Sequence, residues 1–301
     1  MTLCVKRPCG RWPNSLNISG VTFSIAAYDR DSESCGVAVA SKCLAVGHAV
    51  PWGGADAGAI ATQALANLSY GPDGLALLRA GRSAPDVVSE LVGADELGSR
   101  RQLGVADRSG RAANHTGDEC LPWAGGIVDG EVAVQGNILA GEHVVRAMLD
   151  AYRAATGEAF VRRLLRAVEA GDAAGGDRRG KQSAAVRVWQ EGAAYGGGLD
   201  MAVDLRVDDH DEPVAELARL VDLHYLYFCR PEPGTLLDLD GELQREIASG
   251  LSLLGYDPED GFEEAFSRWV GTENFEEREV PGKIDPLVLE HLRRQAAAAV
   301  P

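Results

Sequence analysis

At 301 residues with 46% hydrophobic content, the chain is long enough for one large domain and a small one, with a core that needs no disulfide staples. Its formal net charge of −16 argues against nucleic acid or an anionic membrane surface as partner, because both need a basic face. No stretch approaches the roughly 20 apolar residues of a membrane span, and the six cysteines form no CxxC pair, which reads as free thiols in a cytoplasmic protein.

Residues 1–20 stand apart: three basic residues, no acidic one, and neither strand alternation nor helical period. They lack the apolar run of a secretory signal. Two readings fit, a disordered or cleaved extension or an upstream stretch that is not native to the protein. Val21 can be encoded by an alternative start codon, which would leave Thr22 second in the product.

From Thr22 the pattern is regular. TFSIAAYD (22–29) and CGVAVAS (35–41) read as a hairpin around a polar turn, and GAIATQ (58–63) as a third strand. Two helices follow at about 71–81 and 84–94, the second opening on Ser83 with proline in its first turn. RQLGVAD (101–107) and RAANHT (111–116) form another hairpin, and 126–134 a further one across Asp129–Gly130. The stretch 141–169 switches to helical period, with Val144, Val145, Met148, Leu149 and Tyr152 on one face and Val161, Leu164, Leu165 and Val168 on another. The strands 183–189 and 201–207 and a helix at 213–228 complete a domain spanning 21–229. Pro231, Pro233 and Gly234 punctuate a linker at 230–238, and 239–301 read as a helical module with helices at about 239–254, 259–270 and 284–297. The fold class expected is α+β, paired sheets with helices outside, plus a small all-α domain.

Several stretches together resemble the bacterial and archaeal family called domain of unknown function 1028. They are TFSIAAYD (22–29), GVAVASKCLAVGHAVPW (36–52), ATQALANLSYGPDGLALLRAG (61–81), RQLGVAD (101–107), QGNILAG (135–141), GDAAGGDRRGKQSAA (171–185) and DLRVDDHDEPVAEL (204–217). The resemblance implies the N-terminal-nucleophile (Ntn) hydrolase fold, a four-layer αββα sandwich. Family members commonly begin Met-Thr-Phe-Ser-Ile, so Thr22 would be exposed by removal of methionine. Here 21 residues precede it. LGYD (254–257), FEEAFSRWVGTENFEER (262–278) and GKID (282–285) resemble a peptidoglycan-binding-like module, which implies a cell-wall glycan as partner.

A threonine hydroxyl needs an adjacent base, and a free α-amino group, with a reference pKa of about 7.7–8.0, provides one within the same residue. Thr22 is therefore either that nucleophile, with nothing before it, or an ordinary strand threonine. Lys42 ends the next strand and could lower the amine's pKa, or could be a surface lysine. Gln135 and Asn137 flank a glycine and could hold an oxyanion, or could close a turn. Gln63, Asn67 and Tyr70 are weaker candidates for substrate contact. The loop 175–181 carries three cations and three glycines, without a Walker pattern. Arg178 or Arg179 could clamp a substrate carboxylate, or could join Asp177 and Asp204–Asp209 in an internal salt-bridge network. Asp208, Asp209 and His210 lack a third ligand, so no metal and no cofactor is expected. The function read from these residues is an amidohydrolase or peptidase acting on a small amide or peptide. The alternative is a non-catalytic ligand-binding or scaffold protein, and homo-oligomers are open to either.

Overall fold

A computed structural model describes residues 19–20, 22–194, 196–231, 234–257 and 261–299. Val21 and nearly all of the N-terminal extension therefore lie outside the described residues. The protein is α+β, and its backbone divides into two compact units, the second beginning at Ala218.

In chain order the first unit contains β1 (Ser19–Gly20), β2 (Thr22–Asp29), β3 (Ser34–Ser41), α1 (Val46–Ala49), β4 (Pro51–Gly54), β5 (Gly58–Leu65), α2 (Tyr70–Arg79), α3 (Ala84–Gly93), β6 (Arg101–Asp107), β7 (Ala112–Thr116), β8 (Gly125–Asp129), β9 (Val132–Asn137), α4 (Glu142–Ala154), α5 (Phe160–Ala173), β10 (Ser183–Trp189) and β11 (Met201–Val207). Helix α6 (Pro213–Phe228) crosses into the second unit, which continues with β12 (Leu237–Asp238), α7 (Gly241–Leu253), α8 (Phe262–Thr272), β13 (Lys283–Ile284) and α9 (Pro286–Ala299).

Two antiparallel sheets face each other. One runs β1-β5-β6-β7, with β4 also on β5; the other runs β11-β10-β3-β2-β9-β8. Strands β2 and β3 are buried along their whole length, because each is covered on both faces. Between the sheets lie mostly small residues, among them Ala26, Ala59, Ala61, Ala106, Ala133 and Ala185. The opposite face of the first sheet, with Ile60, Leu103 and Val105, packs on Leu75, Leu78, Val87 and Val88 of α2 and α3. Helices α4 and α5 pack on each other, α5 covering β3 and β2 and α4 covering β8 and β9.

The local signals explain most element ends. Ser83 and Asp86 form a reciprocal capping box, each side chain bonding the other's backbone N–H, with Pro85 in the first turn. The β8–β9 loop falls one residue later than Asp129–Gly130: Asp129 pairs with Val132, so the loop is Gly130–Glu131, with Gly130 at φ 57°. Helix α5 extends to Ala173 and shortens the glycine-rich loop. Strand β4 and the short α1 are additions to the elements expected, and both are four residues long, below the length at which periodicity is readable. Ser19 and Gly20 pair antiparallel with Leu65 and Ala64, so the last two residues of the N-terminal extension form a strand.

The second unit has its own core of Leu226, Ile247, Leu251, Phe266, Trp269, Phe275, Leu289 and Leu292. Arg278 is buried within it, pairing with Asp285 and donating to the carbonyls of Leu226 and Tyr225. Among the described residues no helix is long and apolar enough to cross a membrane.

Candidate functional site

Strand period places a row of polar side chains between the two sheets at one end. Thr22 opens β2, with Ser41 of β3 on one side of it and Asn137 of β9 on the other. Phe23 points the opposite way, against α5, where an added Cβ at Gly171 would come within 3.0 Å of its ring. Thr22 and Ser24 therefore face the inter-sheet space, and the residues of β5 and β6 facing them are Gln63 and Gln102.

These groups form one hydrogen-bonded network, and its members are 0–2% exposed apart from Thr116. The Thr22 hydroxyl donates to Ser41 Oγ (3.3 Å), and its carbonyl accepts from Gln63 Nε2 (3.2 Å). Gln63 also accepts from Ser24 Oγ (2.7 Å) and donates to Gln102 Oε1 (2.7 Å). Gln102 Oε1 takes a second bond from Asn137 Nδ2 (2.9 Å), while its own Nε2 donates to the Gly136 carbonyl (2.8 Å) and Thr116 Oγ1 (2.9 Å). Every side chain in the set is a neutral amide or hydroxyl.

Gln135 sits two positions deeper than Asn137, opposite Ser24, and its Nε2 donates to Ser24 Oγ (2.7 Å). Its Oε1 is buried with no hydrogen-bond partner among the described residues. Gly104 makes room for it, since an added Cβ there would lie 2.2 Å from that oxygen. Of the two amides expected to hold an oxyanion, Asn137 is the one beside Thr22.

Lys42 is directed elsewhere. The alternation that turns Ser41 toward Thr22 turns Lys42 away, and Lys42 Nζ donates to the Lys181 carbonyl (3.0 Å). The glycine-rich loop is pinned by Asp177, whose carboxylate accepts from the backbone N–H groups of Lys42 (2.7 Å) and Arg179 (2.8 Å) and from the Arg179 guanidinium (3.2 Å). Lys181 pairs with Asp172 (2.8 Å) and Glu212 (2.6 Å). Arg178 donates its backbone N–H to the Ile138 carbonyl, next to Asn137. Its exposed side chain makes no hydrogen bond or ion pair among the described residues. Of the three cations, Arg179 and Lys181 serve the internal network and Arg178 points outward.

Asn67 and Tyr70 belong to a different cluster. Both donate to Asp95 (3.0 Å each), which also pairs with Arg101 (2.9 Å). Burial alone would raise the Asp95 carboxyl, but the Arg101 guanidinium, the Leu97 N–H, Asn67 and Tyr70 outweigh it and hold the group well below the ordinary carboxylate range. The same cluster pushes the Tyr70 phenol up, through burial first and then Asp95. Asn67, Tyr70 and Asp95 line an open groove of about 730 Å³ between α2 and α3, whose lining does not include Thr22, Ser41 or Asn137. His210 Nδ1 accepts from the Glu212 N–H, and among the described residues no group of three or more His, Cys, Asp and Glu could hold a metal.

Gln102, the hub of the network, was not among the residues singled out from the sequence. The signal that could have found it is its phase: in RQLGVAD it shares a face with Gly104 and Ala106, the face that lies against the other sheet.

The model for the family of unknown function DUF1028 matches residues 22–217, and that described as "Putative peptidoglycan binding domain" matches residues 227–292. The chain is similar to a crystal structure of a DUF1028 protein from Silicibacter pomeroyi, with 33% identity and a TM-score of 0.62 over 68% of this chain and 89% of that one. No curated protein matches the chain.

Proposed function

The chain belongs to the family of unknown function DUF1028 over residues 22–217, and we propose that this member is an Ntn hydrolase of amide bonds, built as a four-layer αββα sandwich with Thr22 as its nucleophile. The observation that carries this reading is the convergence on one strand end. The Thr22 hydroxyl meets Ser41, its carbonyl meets Gln63, and Asn137 lies opposite it. All of these are neutral, so the base for the hydroxyl has to be another group. A free α-amino group on Thr22 itself fills that role. The active form accordingly begins at Thr22, through methionine removal after initiation at Val21 or through cleavage. The family match also begins there.

In this mechanism Thr22 Oγ attacks the amide carbonyl carbon as its proton passes to the Thr22 amine. Asn137 stabilises the oxyanion from beside the nucleophile, with Gln135 behind it. The protonated amine then gives its proton to the leaving nitrogen, and water releases the acyl group from Thr22. Arg178, outward-pointing on the loop anchored next to Asn137, is the group for a substrate carboxylate, so the substrate is a small carboxylate-bearing amide or peptide.

A second reading has its own observation. In the 301-residue chain the Thr22 nitrogen is a peptide nitrogen, and Ser19–Gly20 continue into a strand on β5. Such a chain would act as a ligand-binding protein, with residues 227–292 contributing cell-wall glycan binding. The two readings separate on a protein that begins at Thr22, assayed against a panel of amides and peptides. Hydrolysis lost on Thr22→Ala, at a stability cost of about 1 kcal/mol for one buried hydrogen bond, supports the enzyme; full activity in the variant rules Thr22 out as nucleophile.

A further inference from the structure

The free edge of β5 carries two guests. Its first half, Gly58–Ala61, is covered by β4, and the Thr62 N–H donates to the Val50 carbonyl (3.2 Å). Beyond that point the edge is covered by Ser19–Gly20, paired with Leu65 and Ala64. The opposite edge of β5 is held by β6 from Gly58 to Ala64. The residue between the two guests is Gln63, whose side chain bonds the Thr22 carbonyl (3.2 Å).

In a chain that begins at Thr22, Ala64–Leu65 therefore lose their neighbouring strand on this edge, while the Leu65 carbonyl keeps its bond from the Arg101 guanidinium. An uncovered sheet edge presents unpaired backbone groups that an added strand can satisfy. We propose that this edge is a docking site for an extended peptide substrate, which pairs antiparallel with Ala64–Leu65 as Ser19–Gly20 do. The inference deepens the proposed function and rests on it for the identity of the substrate. Its geometry follows from chain continuity: Gly20 lies two residues from Thr22, a reach of about 7 Å. A peptide seated on this edge has its next residue within that reach of Thr22.

A second observation supports a built site. Ala64, opposite Gly20, is held at φ 65°, a conformation that non-glycine residues rarely adopt and that clusters at ligand-binding positions. The recognition is through backbone, so it favours an extended peptide over a small isolated amide, with side-chain preference left to the surroundings of Gln63 and Arg178.

The test uses the full chain and a chain beginning at residue 22, each carrying Thr22→Ala so that nothing is turned over. The probe is a fluorescent peptide of the sequence Asn14–Val21. It should bind the shorter protein at least tenfold more tightly than the full chain, whose own strand competes. A peptide N-methylated at the residues corresponding to Ser19 and Gly20 should lose at least tenfold in affinity. Equal binding to both proteins, equal binding of the methylated peptide, or no binding to the shorter protein would each overturn the docking site. Hydrolysis by the Thr22 form is scored separately. Binding without hydrolysis would remove the enzyme reading and keep the site, and hydrolysis of small amides without peptide binding would do the reverse.

Discussion

Gln102 joins the two sheets through five hydrogen bonds made by one side chain, to Gln63, Asn137, Thr116 and the Gly125 and Gly136 carbonyls. Replacing it with leucine keeps the volume and removes the partner of the buried Gln63 and Asn137 amide donors and of the buried Gly136 carbonyl. Gln102→Leu should therefore lower unfolding stability in urea by about 3 kcal/mol or more; a loss under 1 kcal/mol would mean that the network is not structural. Thr22, Gln63 and Asn137 were legible in the sequence because each sits at a strand end within stretches that resemble a family. Gln102 was not, since a lone glutamine in RQLGVAD carries no chemical signature until register aligns it with Gln63. Lys42 shows the opposite failure. Its place at the end of the neighbouring hairpin strand suggested proximity to Thr22, and strand alternation turns it toward Lys181.

At the scale of elements, Asp95 ties the end of α3 to the starts of α2 and β6 through Tyr70, Asn67 and Arg101. Its carboxyl titrates below the ordinary range in the folded protein. A depressed carboxylate contributes stability that is fully present above its unfolded value of about 3.9 and is lost as pH falls through the folded value. Asp95→Asn should cost about 2–4 kcal/mol at pH 7, and the gap between variant and wild type should narrow as pH drops below about 4. Melting curves from pH 7 to pH 2 check this, and a gap independent of pH would contradict it. The helices and long strands were readable because hydrophobic period and caps agree, as at Ser83–Asp86. The clamp was not, because its members come from three separate segments. The two-residue pairing of Ser19–Gly20 with β5 was equally hidden, since a strand that short has no period.

For the whole molecule, α6 is the element that joins the two units. Its final residues Leu226 and Tyr227 pack with the C-terminal core, and the carbonyls of Tyr225 and Leu226 accept from buried Arg278. The linker expected at 230–238 was read from its prolines and glycine, which mark a chain break but not the core to which the preceding helix contributes. A fragment of residues 218–301 should melt cooperatively, and one of residues 239–301 should melt at least 10 °C lower or not fold, having lost Leu223, Leu226 and Tyr227. Equal melting would place all of α6 outside the C-terminal core. The proposed active form of the chain is one with a free amine on Thr22. The most direct measurement compares amide hydrolysis by a chain beginning at Thr22 with that by the same chain carrying one additional residue before it. The added residue should abolish activity, because it converts the amine into a peptide nitrogen while leaving Ser41, Gln63 and Asn137 in place. Equal activity of the two proteins would contradict it.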